Sequence, residues 1–164
     1  MAEKGATPRE AASALIAAMP TGVSPSQLEE YGIDAVPELA QVLTREVLLL
    51  NLFWIVASIE AHIPQKYRAA VSELVLDTVK TGWGTTYPAG SIAWDIFLTQ
   101  RQQRTPRYQR LVEEGLNTLA IAAEVVSWLE DENIISEEDR RKVLTLLIDS
   151  VPVETYGQVL EEIS

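Results

Sequence analysis

Between Glu46 and Glu60 the chain runs through thirteen residues, Val47 to Ile59, in which only Asn51 and Ser58 are polar. A bilayer's hydrocarbon core takes about 20 apolar residues to cross as a helix, so this stretch reads as too short to span one. A helix that is apolar almost all the way round must then be sheathed by other helices. That requirement governs what the remainder of the chain has to supply.

Proline, glycine and capping residues cut the sequence into about seven helical segments. Thr7-Pro8-Arg9-Glu10 is a capping box with proline at the first helical position. It opens an alanine-rich helix that ends near Met19, before Pro20. Ser24-Pro25-Ser26-Gln27 repeats the device, and Gly32 stops the short helix that follows. A third helix runs from Pro37 to about His62, because Pro64 disfavours helix at Ile63. Another spans Pro64 to Lys80 and carries Tyr67, Val71, Leu74, Val75 and Thr78 on one face; Gly82 ends it. After a loop over Thr81–Gly90, Ser91 is positioned to cap a helix reaching Gln103. Pro106 marks a further start, with helix expected to Glu132. Ser136-Glu137-Glu138-Asp139 caps one that ends near Asp149, and the last covers Val153–Ile163, with Tyr156, Val159, Leu160 and Ile163 as its stripe.

No stretch alternates strictly between apolar and polar residues, as a half-buried strand would. Leu111–Leu129 is the second nearly all-apolar segment, relieved by Glu113, Asn117, Glu124 and Ser127. The expected fold is therefore all-α. It is a compact bundle of about seven helices in a single domain (1–164), with two central, largely buried helices in mutual contact.

Composition narrows the chemistry. The absence of cysteine among 164 residues removes disulfides, thiol catalysis and thiolate metal sites. Met1-Ala2-Glu3-Lys4-Gly5 has neither the apolar core of a secretory signal nor a myristoylation glycine, which leaves a cytoplasmic protein as the expectation. Of the net charge of −11, −7 lies between Leu129 and Ser164, where ten acids face three bases. Such a surface repels phosphate backbones, so neither nucleic acid nor membrane is an expected partner.

Four features could carry function. Thr44, Asn51, Ser58 and His62 fall within about 40° on a helical wheel. They form either a polar ligand-binding seam or a buried ladder that fixes helix register. Arg101, Arg104, Arg107 and Arg110 recur every third residue beside Tyr108, with no acid from Ile96 to Val112. Guanidinium forks bind carboxylate and phosphate, although here they could equally pair with the acidic tail. A helix break at Thr105-Pro106 would keep the four off a common face. The loop holding Trp83 and Tyr87 offers either an interface surface or aromatics tucked onto the core.

Glu73 and Asp77, four apart, are spaced to clamp a divalent cation. The Glu-Glu-x-x-Glu cluster with which all-α pyrophosphohydrolases of the MazG type hold magnesium is missing, because Glu29-Glu30 and Glu113-Glu114 lack the third acid. Lys66 and Lys80 flank Glu73, as on an ordinary solvated face. A helix-turn-helix reading of Ser24–Leu43 fails for want of cations.

The leading expectation is a non-catalytic module that binds another protein, or a second copy of itself, through the arginine cluster and the Trp83/Tyr87 loop, with no cofactor. One alternative is a metal-dependent nucleotide or phosphate-ester hydrolase. Another is a carrier of apolar small ligands with a pocket lined by Trp54, Asn51 and Ser58.

Overall fold

A computed structural model describes residues 7–163. Among these, eight α-helices and one 3-10 turn follow each other with no strand: α1 (Pro8–Ala18), α2 (Pro25–Glu30), α3 (Pro37–His62), α4 (Gln65–Thr81), α5 (Trp94–Glu113), α6 (Thr118–Asp131), the turn Glu137–Asp139, α7 (Arg140–Asp149) and α8 (Val153–Ile163). The fold is all-α, as the patterning requires.

Local chemistry sets most of the boundaries. The Thr7 hydroxyl accepts from the Glu10 amide while the Glu10 carboxylate accepts from the Thr7 amide, and Ser24 and Gln27 exchange the same two bonds. Pro64 forces Ile63 into an extended conformation and closes α3.

Two boundaries differ from expectation. Helix α5 runs straight through Pro106. An interior proline costs about 3 kcal/mol. Burying Tyr108 and Leu111 beyond it returns roughly 1.5–3 kcal/mol each, so continuing the helix wins. The break falls instead at Gly115, which sits at φ 85°. There the Gly115 amide donates to Val112 and the Leu116 amide to Leu111, the paired bonds of a Schellman cap. Asn117 then caps α6 by accepting from the Ala120 amide. At the other end Ser91 does not cap α5, which begins at Trp94 without a side-chain cap.

Helix α3 is the axis of the fold. It is buried without interruption from Glu46 to Leu52, and α2, α4, α5 and α8 pack against it. Helix α1 lies between α4 and α8, whereas α6 rests on α7 and α5. Of α6, only Leu119 and Asp131 are exposed, so it is the second largely buried helix. Two apolar cores share α3. Leu43, Val47 and Leu50 meet Tyr108, Val125 and Val143 in one. Leu48, Leu52 and Ile55 meet Val71, Phe97 and Tyr156 in the other. Helices α3 and α6 both contribute to the first of these cores, but they are not among the helix pairs packed closely on each other, so the expected mutual contact of the two is not found.

At 26 residues α3 is longer than its thirteen-residue apolar stretch, and by length and composition alone it could cross a membrane. Within the fold 67% of its apolar window is buried by neighbouring helices.

Candidate binding groove

The polar seam on α3 divides in two. The Thr44 hydroxyl accepts from the Val23 amide at 2.9 Å and donates to the Ala40 carbonyl at 2.8 Å, tying the α1–α2 loop to α3. Asn51 is fully buried. Its amide donates to the carbonyls of Val47 and Ser150, and its oxygen accepts from the Tyr156 hydroxyl. These bonds fix α3 against the α7–α8 connection and α8, the register-setting role of a core asparagine. Both amide N–H groups are used, so Asn51 has no donor left for a ligand among Trp54, Asn51 and Ser58.

Ser58 is half-buried and His62 exposed, and neither continues the ladder. His62 packs toward α8, where a Cβ on Gly157 would sit 3.2 Å from its Nε2.

The four arginines occupy one helix yet point four ways. Three residues turn an α-helix by about 300°, so steps of three fan the side chains around half its circumference. Arg104 turns inward. Its guanidinium makes a two-pronged ion pair with Glu46 of α3, lies 4.6 Å from the centre of the Trp128 ring of α6, and reaches the Tyr108 hydroxyl. Burial alone would lower its pKa, but Glu46 more than offsets this and holds the guanidinium above its ordinary value. Arg107, at the surface, pairs with Glu124 of α6. Arg110 is exposed.

Tyr108 is 1% exposed and packs edge-on to Phe53, so it is a core residue and not a contact residue. Burial, then the charge of Glu46, raises its phenol above the ordinary range. Arg104 and Arg107 are therefore neutralised by α3 and α6 and not by the acidic tail, whose own pairs include Arg140–Glu130 and Lys142–Asp139.

The aromatic loop is also not the platform anticipated. Tyr87 is 3% exposed, under Gly82, where a Cβ would strike its ring at 2.9 Å. Trp83 is half-buried against Trp94 and Phe97 and donates its indole N–H to the Ile92 carbonyl. Arg45 pins the loop by donating to the Ala89 carbonyl at 2.6 Å. The loop is a connector whose aromatics complete the core. Glu73 and Asp77 lie exposed on α4, and no group of three His, Asp or Glu side chains gathers to hold a metal among the described residues.

Arg101 is the member of the series that remains. It lies in a groove of about 400 Å³ between α3 and α5. Phe53, Val56 and Ala57 from α3 and Val112 from α5 give the groove its apolar lining. Thr105 and Gln109 add polar edges, and Glu60 and Glu113 are its acids. The Thr105 hydroxyl is already committed to the Arg101 carbonyl.

The Arg101 Nε is sealed from solvent and, among the described residues, is the buried side-chain polar atom without a hydrogen-bond partner. Burial lowers the pKa of this guanidinium, and no ion pair among the described residues offsets the desolvation. An unpaired donor in such a place is costly, about 1–3 kcal/mol and more when it is charged.

The groove-lining residues of α3 were not legible as a site, because Phe53, Val56 and Ala57 sit inside the stretch whose apolarity already had an explanation. Glu46 was read only as a boundary of that stretch. No family model, curated protein or solved structure matches this chain.

Proposed function

We propose that this protein is a non-catalytic helical module of the cytoplasm that works by binding a segment of another protein in the groove between α3 and α5. The observation that carries this reading is Arg101, an arginine held in an apolar trough with its Nε unpaired while Arg104 and Arg107 on the same helix both have carboxylate partners. Along α5 the lining runs from Arg101 to Glu113, about 18 Å at 1.5 Å per residue. That is the length of just over three helical turns, suited to a chain segment lying between two helices. Arginine is also among the residue types that dominate interface energetics. The sheathing of α3 by its neighbours supports a water-exposed, cytoplasmic setting.

The test is site-specific photo-crosslinking in the native host from position 56, in the groove, and from position 73, on the far face of α4. A protein captured from position 56 alone is then purified and its binding measured directly. The expected result is a binary complex weakened by Val56→Asp and unaffected by Glu73→Lys. Equal weakening by both changes, or by neither, overturns the reading.

A further inference from the structure

We infer that the segment docking in the α3/α5 groove presents a single carboxylate to Arg101, set among apolar side chains that cover Phe53, Val56 and Val112. This rests on the groove being the binding surface, and it adds the chemistry of what binds. A guanidinium has five N–H donors in a planar fork, and a carboxylate matches two of them at once. Helix α5 already shows this geometry three residues on, where Arg104 takes both oxygens of Glu46. Arg101 has the same fork and no carboxylate against it among the described residues; its Nε is sealed from a docking group as it is from water, so the incoming acid meets the remaining N–H groups of the fork.

Glu60 and Glu113 set the charge limit. Both line the groove, so a phosphate of charge near −2 or a run of acids meets about twice the repulsion, or more, that one carboxylate between apolar neighbours does. The net charge of −11 on the whole chain acts in the same direction at longer range. The four apolar lining residues then favour aliphatic or aromatic side chains on either side of the acid.

The experiment is selection of a displayed random-peptide library on the purified full chain, followed by affinity measurement of selected peptides. Selected peptides are expected to carry one Asp or Glu flanked by apolar residues. Replacing that acid by its amide in the peptide, which leaves the protein untouched, is expected to weaken binding about tenfold to a hundredfold. Arg101→Gln in the protein is expected to cost a similar factor, with little added loss when both changes are combined.

Peptides that compete with one another, are blocked by Val56→Asp and yet bind without an acid or bind Arg101→Gln equally well would overturn this inference and leave the groove as the binding surface. Peptides insensitive to Val56→Asp, or no binders at all, would overturn both.

Discussion

Replacing Arg104 by methionine leaves the Glu46 carboxylate facing the interior with its partner gone. Glu46 has 8% of its side chain exposed and Arg104 22%, so water reaches one end of the pair and hardly the other. Breaking a fully buried pair from one side costs about 3–5 kcal/mol, and the partial exposure of Arg104 puts the expected loss near the bottom of that range. The contact with the Trp128 ring adds about 0.5–1 kcal/mol. Arg104→Met should therefore destabilise the protein by about 3–4 kcal/mol, a fall in Tm of roughly 6–16 °C for a chain of this size. Urea denaturation followed by far-UV circular dichroism measures it.

The diagnostic comparison is the double variant Glu46→Leu with Arg104→Met. Removing both charges leaves no orphan, so most of the loss should return, to within about 1 kcal/mol of the parent. A single variant costing less than about 1 kcal/mol would refute the view that this pair ties α3 to α5 and α6. A double variant as unstable as the single would show that the loss comes from shape and not from a stranded charge.

Asn51→Leu, nearly the same size, strands the Ser150 carbonyl and the Tyr156 hydroxyl in the core and should cost about 2–4 kcal/mol in the same assay, whereas Ser58→Ala should stay within about 0.5 kcal/mol. Gly115→Ala meets no neighbouring atom, so its whole cost is the left-handed backbone, about 1–2 kcal/mol, and thermal unfolding should show it. Tyr31 donates to Asp149, and that bond with burial raises its phenol from 10.0 to about 12. A pKa raised by folding adds stability below pH 10 that is lost as the pH climbs to 12. The stability advantage of the parent over Tyr31→Phe should accordingly shrink across that interval in denaturant titrations at stepped pH.

Much of the fold was written in short-range signals. The boxes at Thr7 and Ser24, the proline after Ile63 and the stripe on α8 each act within a few residues, so their consequences could be read without knowing the neighbours. Pro106 and Gly115 show the limit. Whether a proline ends a helix depends on what the following turn buries, and the value of Tyr108 and Leu111 at that point is set by α3 and α6.

The candidate site depends still more on distance in sequence. The even spacing of the four arginines was visible, and 3.6-fold periodicity already implies that steps of three fan outward. Which of them found acids was not visible, because Glu46 is 58 residues from Arg104 and looked like a boundary marker. Asn51 and Ser58 were indistinguishable by wheel position; their fates parted because α8 brings Tyr156 to one and nothing comparable to the other.

The claim on which the functional account turns is that a partner lies between α3 and α5. Hydrogen–deuterium exchange of the full chain, free and saturated with a groove-selected peptide or the crosslinked partner, tests it most directly. Added protection is predicted over residues 53–60 and 101–113, with α1 and α4 unchanged. Protection confined to α1 and α4, with those two segments exchanging as in the free protein, would contradict it.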